Sequence, residues 1–141
     1  MKVLFVCRAN AVRSQMGEAF YNSLSGTNDA KSAGVEPEHS IMKDDPRLPP
    51  LPLQAMNEVG IDLTEARRKK ITEAMVDEAD AVIVVLRDTE FPLPAYLEHS
   101  PKLVRWDDIP DPKGTDIETH RVVRDAVKKK VMDLLAMETA R

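Results

Sequence analysis

The sequence places a cysteine and an arginine where they could act together on an anion. Five residues separate Cys7 from Arg13, and Ser14 follows the arginine directly. An apolar run typical of a buried strand precedes Cys7, and helical spacing of apolar residues begins at Ser14. A loop between a strand and the N-terminus of a helix can aim several backbone N–H groups at one tetrahedral oxyanion. The spacing therefore predicts an anion cradle with a thiol at its base.

The charges of this cradle would also activate Cys7. The positive end of the helix dipole and the guanidinium of Arg13 both favour the thiolate, which is the nucleophilic form of cysteine. The guanidinium can bind two oxygens of the anion, and the hydroxyl of Ser14 can donate a hydrogen bond to the sulfur. These residues predict attack by Cys7 on the central atom of an oxyanion. The alternative interpretation is a small apolar cysteine that ends a strand.

Cys7 is the only cysteine among the 141 residues. An intrachain disulfide and a cysteine-rich zinc site are therefore excluded, and a reducing compartment is expected. The N-terminal segment has one basic residue and four consecutive apolar residues, which is too short for a signal peptide or a membrane span. We therefore expect a cytoplasmic protein that does not bind membranes.

The composition predicts one domain, at residues 1–141, with a locally charged site. The net charge of −4 argues against general affinity for nucleic acids or anionic membranes. Aromatic residues make up 4% of the chain, which is too few for base-stacking platforms. Any anion site must therefore be a local concentration of positive charge.

Strand-like and helix-like segments alternate along the chain. The pattern predicts an open four-stranded parallel α/β sheet with helices on both faces. The predicted strands cover residues 2–6, 30–34, 81–86 and 103–106. The predicted helices cover residues 14–24, 53–59 and 116–137, and Thr64 and Thr72 are candidate N-caps of two shorter helices. Because parallel strands end at one edge of a sheet, the loops after residues 6, 86 and 106 should meet there.

The segment VLFVCRANAVRSQMGEAF resembles the low-molecular-weight protein tyrosine phosphatase family and its relatives, the thioredoxin-type arsenate reductases. Both groups carry a Cys-x5-Arg-Ser/Thr loop between the first strand and the first helix. The resemblance covers nearly the whole chain, through residues 32–34, 60–62 and 81–86 and the pair Asp111-Pro112, and is weakest at residues 36–53. It implies a four-stranded parallel sheet and catalysis through a phosphocysteine, without a metal or another cofactor.

The resemblance also implies a different catalytic role for each of three residues. Cys7 is the nucleophile, and Arg13 holds the phosphoryl group together with the backbone N–H groups of the loop. Asp111 protonates the leaving oxygen and then activates water. Asp107 and Asp108 stay open as alternatives for this acid, because they lie in the same acidic segment.

The same resemblance assigns the phosphate-binding loop and its support. The loop consists of Arg8, Ala9, Asn10, Ala11, Val12, Arg13 and Ser14. Ser14 would support the thiolate, and Asn10 would brace the loop through Ser32. The reductase branch can also hold a potassium ion, on residue types matched here by Asn10, Glu18, Ser32 and Asp62. Ordinary polar caps explain these residues equally well, and we expect no metal site.

Two features of the loop depart from the phosphatases. Position 9 is Ala9, where phosphatases usually have glycine, so a positive φ there would cost about 1 kcal/mol. Arg8 either adds positive potential to the cradle or points to solvent. The aromatic pocket walls of the phosphatases are also missing at residues 36–53, which leaves phosphotyrosine specificity open.

Three hypotheses for the function follow. The first is a phosphatase acting on a phosphorylated protein or a small phosphomonoester through Cys7. The second is arsenate reduction, which the Ser14-Gln15-Met16 segment favours. Residues 86–92 hold no cysteine, so this reaction would need an external thiol as its partner. The third is a protein that binds anions without catalysis.

Two other segments are interpreted conservatively. The basic run at residues 67–70 predicts a solvated helix face, with attraction of anionic substrates as the alternative. The proline-rich segment at residues 47–52 predicts a stiff surface loop, with a ligand for an SH3-type domain as the alternative.

Overall fold

Four parallel strands form the sheet in the part of the chain that the computed structural model describes, residues 1–87 and 90–140. The strands are β1 (Val3–Cys7), β2 (Ala30–Gly34), β3 (Ala81–Val84) and β4 (Leu103–Arg105). Their order in the sheet is β2-β1-β3-β4. The predicted fold class, an open four-stranded parallel sheet, is confirmed.

Strand β1 lies in the interior of the sheet, between β2 and β3, and ends with Cys7. Val3 pairs with Ala30 on β2 and with Ala81 on β3, and Cys7 at the far end pairs with Gly34. All five residues of β1 are buried. The apolar run before Cys7 therefore has the central position that its two apolar faces predict.

Helices cover both faces of the sheet, as predicted, and the described residues form five of them. They are α1 (Arg13–Ser25), α2 (Pro50–Asn57), α3 (Glu73–Glu78), α4 (Ala95–Glu98) and α5 (Ile117–Thr139). Alternate residues of a strand point to opposite faces. Phe5 therefore packs with α1, α2 and α5, whereas Leu4 packs with α3 and α4. Among the described residues, none of these helices combines the length and the apolar character needed to span a membrane.

Helix α1 approaches β1 very closely at Gly17. A Cβ atom at this position would lie 2.6 Å from Cδ1 of Phe5, below any ordinary contact distance. Glycine is therefore required for α1 to lie this near the sheet. The close packing fixes the N-terminus of α1 beside the end of β1, where Cys7 lies.

The prediction of a helix after Thr64 is wrong. The backbone N–H of Thr64 donates to Oδ1 of Asp62 at 2.9 Å, which closes a turn instead of capping a helix. The chain then runs extended, and the backbone N–H of Gly34 donates to the carbonyl of Lys69 at 2.8 Å. The predicted helix face at residues 67–70 is therefore also wrong, because these backbone groups bond to the end of β2.

Other boundaries shift by a few residues. Helix α2 starts at Pro50, three residues before the predicted start, because proline is well tolerated in the first turn of a helix. Thr72 caps α3 and Asp116 caps α5 through their side-chain oxygens. The short helix α4 and a 3₁₀ helix at Pro37–His39 were not predicted.

Glu58, at the C-terminal end of α2, ties that helix to α5. Its carboxylate accepts hydrogen bonds from Nε and Nη2 of Arg121 at 2.9 and 2.6 Å, and from Nη1 of Arg124 at 3.0 Å. The hydrogen bonds from Arg121, with a smaller contribution from Arg124, lower the pKa of Glu58 to about 2. The folded state therefore favours the ionised form of this carboxyl group.

We predict that Glu58→Gln lowers the melting temperature near neutral pH. A depressed pKa stabilises the fold above the ordinary value of 4.5, and this contribution disappears as the pH falls towards about 2. The difference from the wild type should therefore shrink across this window in thermal unfolding followed by circular dichroism. Glu65→Gln, at an exposed position, is the matched control. A difference that is constant over the whole window would contradict the assignment.

Candidate active site

The loop between β1 and α1 presents unpaired backbone donors. Cys7 is 2% exposed at the end of β1, and α1 begins at Arg13 without a side-chain cap. None of the described residues accepts a hydrogen bond from the backbone N–H groups of residues 9–13. Buried N–H groups normally have partners. The loop is therefore ready to donate several hydrogen bonds to an anion.

Ser14 lies against the sulfur of Cys7. Its Oγ is 3.0 Å from Sγ of Cys7, and Nδ2 of Asn10 donates to the same Oγ at 2.7 Å. Because the oxygen accepts from Asn10, the hydroxyl hydrogen of Ser14 is left to point at the sulfur. In this arrangement Ser14 is the donor and Sγ of Cys7 is the acceptor.

Asn10 holds the loop in shape. Its φ of 56° lies in the left-handed region, which asparagine tolerates better than most residues, and its side chain is fully buried. Besides donating to Ser14, its amide accepts from Nε2 of Gln15 at 3.0 Å and from the backbone N–H of Lys69 at 2.9 Å. One side chain therefore connects the loop, helix α1 and the extended segment beside β2. The positive φ falls at Asn10 and not at Ala9, so alanine at position 9 carries no such strain.

The predicted brace between Asn10 and Ser32 is wrong. Both polar ends of the Asn10 amide are taken by other partners, and Oγ of Ser32 is buried with no hydrogen-bond partner in the described structure. Strand β2 supports the loop through Gly34 instead. A Cβ atom there would lie 2.8 Å from backbone atoms of Ala9 and Asn10, so glycine allows the two segments to touch. In the sequence, this contact is indicated by Gly34, the glycine at the end of the second predicted strand.

Two of the four residues compared with a potassium site have other hydrogen-bond partners. Oδ1 of Asn10 already accepts two hydrogen bonds. Asp62 is exposed and accepts from the backbone of Thr64. The described residues contain no group of three or more His, Cys, Asp or Glu side chains placed for a metal ion.

Arg13 is oriented by Glu90, a residue that the sequence did not indicate. Nη1 and Nη2 of Arg13 donate to the two carboxylate oxygens of Glu90 at 2.8 and 2.9 Å, and Nη1 also donates to the carbonyl of Ile109. Burial lowers the pKa of Arg13, but hydrogen bonding to Glu90 and the charge of Cys7 outweigh it, so the pKa is raised overall. The Nε–H and one Nη2–H stay available for two oxygens of an anion.

Asp111 is the predicted acid that shares a cavity with Cys7 and Arg13. The cavity has a volume of about 240 Å³. Oδ2 of Asp111 lies 3.8 Å from Nη2 of Arg13, and its side chain is 24% exposed. Asp107 is exposed and does not line the cavity, whereas Asp108 faces away towards Lys130, 3.2 Å from its Nζ. The geometry therefore favours Asp111 among the three candidates.

One wall of the cavity is aliphatic and consists of Ile41, Pro49, Pro50, Leu51 and Pro52. His39 and His120 also line the cavity, and no described Phe, Tyr or Trp side chain does so. The hypothesis that the proline-rich segment binds an SH3-type domain is wrong, because Pro50 to Pro52 begin helix α2 and Leu48 is buried. The cavity can therefore accept an apolar group next to the anion, without aromatic stacking.

Arg8 lies at the edge of the site and outside this cavity. Its Nε donates to Oε1 of Glu36 at 2.9 Å, and its guanidinium carbon is 5.2 Å from the centre of the Phe91 ring. The side chain is 26% exposed. Its charge is therefore paired with a carboxylate and does not enter the cradle directly.

Arg68 fixes the segment that carries the cavity wall. This buried guanidinium donates to the backbone carbonyls of four residues, Pro37, Met42, Asp45 and Arg47. Burial lowers the pKa of Arg68 from its ordinary value, yet arginine stays charged in proteins. The sequence placed Arg68 in a solvated basic run, because nothing in the local pattern shows that this residue turns inward.

Substitution of Asn10 should separate its backbone contribution from that of its amide. Asn10→Gly keeps access to the positive φ but loses the amide, so we expect the free energy of unfolding to fall by about 2 kcal/mol. Asn10→Ala should lose about 1 kcal/mol more, because alanine is strained in the left-handed region. Urea unfolding measures both, with Asn28→Ala at an exposed position as the control. Equal stability of the Gly and Ala variants would contradict the backbone contribution.

Comparison with known proteins finds relatives in sequence and in fold. The chain is 33% identical over 136 residues to the glutaredoxin arsenate reductase of Synechocystis sp., and the match covers 96% of both chains. A solved arsenate reductase in the phosphate binding state is 32% identical, with a TM-score of 0.77, and covers 97% of this chain and 98% of its own. Wzb of Vibrio vulnificus, solved in complex with benzylphosphonate, shares the fold with a TM-score of 0.79 at 20% identity, over 94% of this chain and 95% of its own.

The family relation rests on nearly the full length of the chain. The sequence model of the low molecular weight phosphotyrosine protein phosphatases matches residues 2–140, which include the loop, Arg13 and Asp111. The chain therefore belongs to the low molecular weight phosphotyrosine protein phosphatase family.

Proposed function

We propose that this protein is a phosphatase that hydrolyses phosphomonoesters through a phosphocysteine on Cys7. The observation that carries the proposal is the common cavity of Cys7, Arg13 and Asp111. It combines a nucleophile, a cation for the anion and a carboxyl group for proton transfer. Unpaired backbone donors surround the same place. This is the set of groups that transfer of a phosphoryl group to sulfur requires.

In the first step, the thiolate of Cys7 attacks phosphorus from the base of the cradle. A P–S bond forms while the bond from phosphorus to the ester oxygen breaks. Asp111 gives its proton to that oxygen, so the product leaves as an alcohol or phenol. The free N–H groups of Arg13 and the loop bind the equatorial oxygens, where negative charge is concentrated in the transition state.

In the second step, water attacks phosphorus and the P–S bond breaks. Asp111, now a carboxylate, takes the proton from the attacking water. The sulfur leaves as a thiolate, which the hydroxyl of Ser14 stabilises at 3.0 Å. Inorganic phosphate is released and Cys7 is ready for another cycle.

The aliphatic side chains of the cavity determine which organic groups of a substrate can bind there. Ile41, Pro49 and Leu51 offer apolar contact to the organic part of an ester, but no ring for stacking. We infer that the substrate is a phosphorylated protein or a small phosphomonoester, bound mainly through its phosphoryl group. Phosphotyrosine is one such ester and has no dedicated aromatic pocket among the described residues.

We predict that Cys7→Ser abolishes hydrolysis of an aryl phosphate, and that Asp111→Asn lowers kcat about 10²- to 10³-fold. Asp108→Asn is the control, because Asp108 belongs to the same acidic segment but faces away from the cavity. Steady-state kinetics measure the effects, and mass spectrometry of acid-quenched enzyme should find a phosphoryl adduct on Cys7. Full activity of Cys7→Ser would overturn the proposal. Phosphate binding without turnover or an adduct would support the non-catalytic alternative instead.

Arsenate reduction is the second candidate, and the similarity to an arsenate reductase in the phosphate binding state favours it. Cys7 would bond to arsenic with loss of water. The chain has no second cysteine. An external thiolate would therefore attack the sulfur of Cys7, and the S–As electron pair would pass to arsenic and give arsenite. The mixed disulfide would need a second external thiol, so the thiols are oxidised and arsenic is reduced.

We predict that any arsenite production depends strictly on an added thiol. Arsenate should be incubated with the protein alone, with glutathione and glutaredoxin, and with thioredoxin and its reductase. Arsenite is then separated and measured by mass spectrometry, with Cys7→Ser as the control. Arsenite formed without any thiol would contradict the balance of electrons given above. Absence of arsenite with every donor would remove this candidate.

A further inference from the structure

We propose that His39 is a positioning residue for Asp111, as the middle of a hydrogen-bonded chain that runs from Lys113 through His39 to the carboxyl group. Its effect is to aim Asp111 at the leaving oxygen and later at water. The inference rests on the proposed phosphatase function and assigns a role to a residue that the sequence did not single out.

The contacts of His39 define the direction of the chain. Nε2 of His39 lies 3.0 Å from Oδ2 of Asp111, and Nδ1 lies 3.4 Å from Nζ of Lys113. An ammonium group can only donate, so a hydrogen bond from Lys113 requires the tautomer in which Nδ1 accepts and carries no hydrogen. The proton of the neutral ring is therefore on Nε2, which donates to Asp111.

The charges around His39 are nearly balanced. Oε1 of Glu36 lies 3.9 Å from Nδ1, on the same side as Lys113, but it is also paired with Arg8 at 2.9 Å. Asp111 faces Nε2 and lies 3.8 Å from the guanidinium of Arg13. Lys113 is thus the nearest charged group to Nδ1, which agrees with a donor at this position.

The chain fixes the carboxyl plane of Asp111. Oδ2 accepts from His39, and Oδ1 accepts from the backbone N–H of Lys113 at 3.0 Å. The torsion of a carboxyl group is otherwise broad, and at 24% exposure the side chain has room to turn. Each oxygen keeps one lone pair for the transferred proton. Correct orientation of a reacting group accounts for a large share of catalysis.

His39 is itself held rigidly. It ends the 3₁₀ helix Pro37–His39, and its backbone N–H donates to the carbonyl of Glu36 at 3.0 Å. Arg68 binds the carbonyl of Pro37 within the same turn. The imidazole is 19% exposed and lines the cavity beside Asp111. The ring is therefore supported from the buried side of the segment, as a positioning group requires.

The test compares His39→Leu, which removes the donor, with His39→Gln, whose amide can place an N–H near the position of Nε2. Phenyl phosphate has a poor leaving group and 4-nitrophenyl phosphate a good one, so protonation by Asp111 matters more for the first. We expect His39→Leu to lower kcat about 10-fold on phenyl phosphate, within the range for general acid catalysis, and less on the nitrophenyl ester. KM should stay unchanged, and His39→Gln should recover most of kcat.

A double mutant separates positioning from general damage. In the Asp111→Asn background, His39→Leu should cause no further loss, because the group that it orients is gone. His99→Leu, at an exposed histidine far along the chain, is the matched control. Equal losses on both esters, a change in KM alone, or full additivity with Asp111→Asn would overturn the role of His39.

The wild type distinguishes failure of this inference from failure of the proposed function. A wild type that hydrolyses neither ester overturns the phosphatase itself. An active wild type with an equally active His39→Leu overturns only the positioning role. Nitrogen-15 NMR tests the hydrogen bonds of His39 directly and does not depend on enzyme turnover. We expect the neutral ring of His39 to be protonated on Nε2 in the wild type, and a proton on Nδ1 instead would overturn the chain.

Discussion

The buried amide of Asn10 is the interaction on which the rest of the site depends. The loop must turn its N–H groups towards one point, and a chain that does so cannot satisfy those donors internally. Asn10 holds the loop in this conformation although those donors stay without partners among the described residues. Its left-handed backbone makes the turn, and its amide joins Ser14, Gln15 and the backbone of Lys69. Oγ of Ser14 then lies 3.0 Å from the sulfur of Cys7, so the same network that shapes the loop reaches the proposed nucleophile.

The two candidate reactions share their first step and part at the second. In both, Cys7 bonds to the central atom of a tetrahedral anion that the same cradle holds. What removes the adduct then decides the outcome. Asp111 lines the cavity and would activate water in the proposed hydrolysis, whereas a thiol would have to come from outside this chain. Family membership is common to both reactions, and the position of Asp111 is what ranks hydrolysis first.

The fold and the central residues of the site could be predicted because their signals are local. An apolar strand, a loop with Cys7 and Arg13, and a helical repeat are neighbours in the sequence. His39 and Glu90 were missed because they meet Asp111 and Arg13 across 72 and 77 residues, and only the packed chain brings them together. The helix after Thr64 failed for a related reason. Its capping preference was outweighed by backbone hydrogen bonds with the distant end of β2.

The four hydrogen bonds from Arg68 to backbone carbonyls have a consequence for how this protein can change during evolution. Arg68 binds the wall segment through carbonyl oxygens, which every amino acid supplies. These hydrogen bonds therefore do not depend on which side chains the segment carries. Positions such as Ile41, 65% exposed at the cavity, can be exchanged during evolution while the backbone keeps its course. Substrate preference can then diverge among descendants without loss of the catalytic framework.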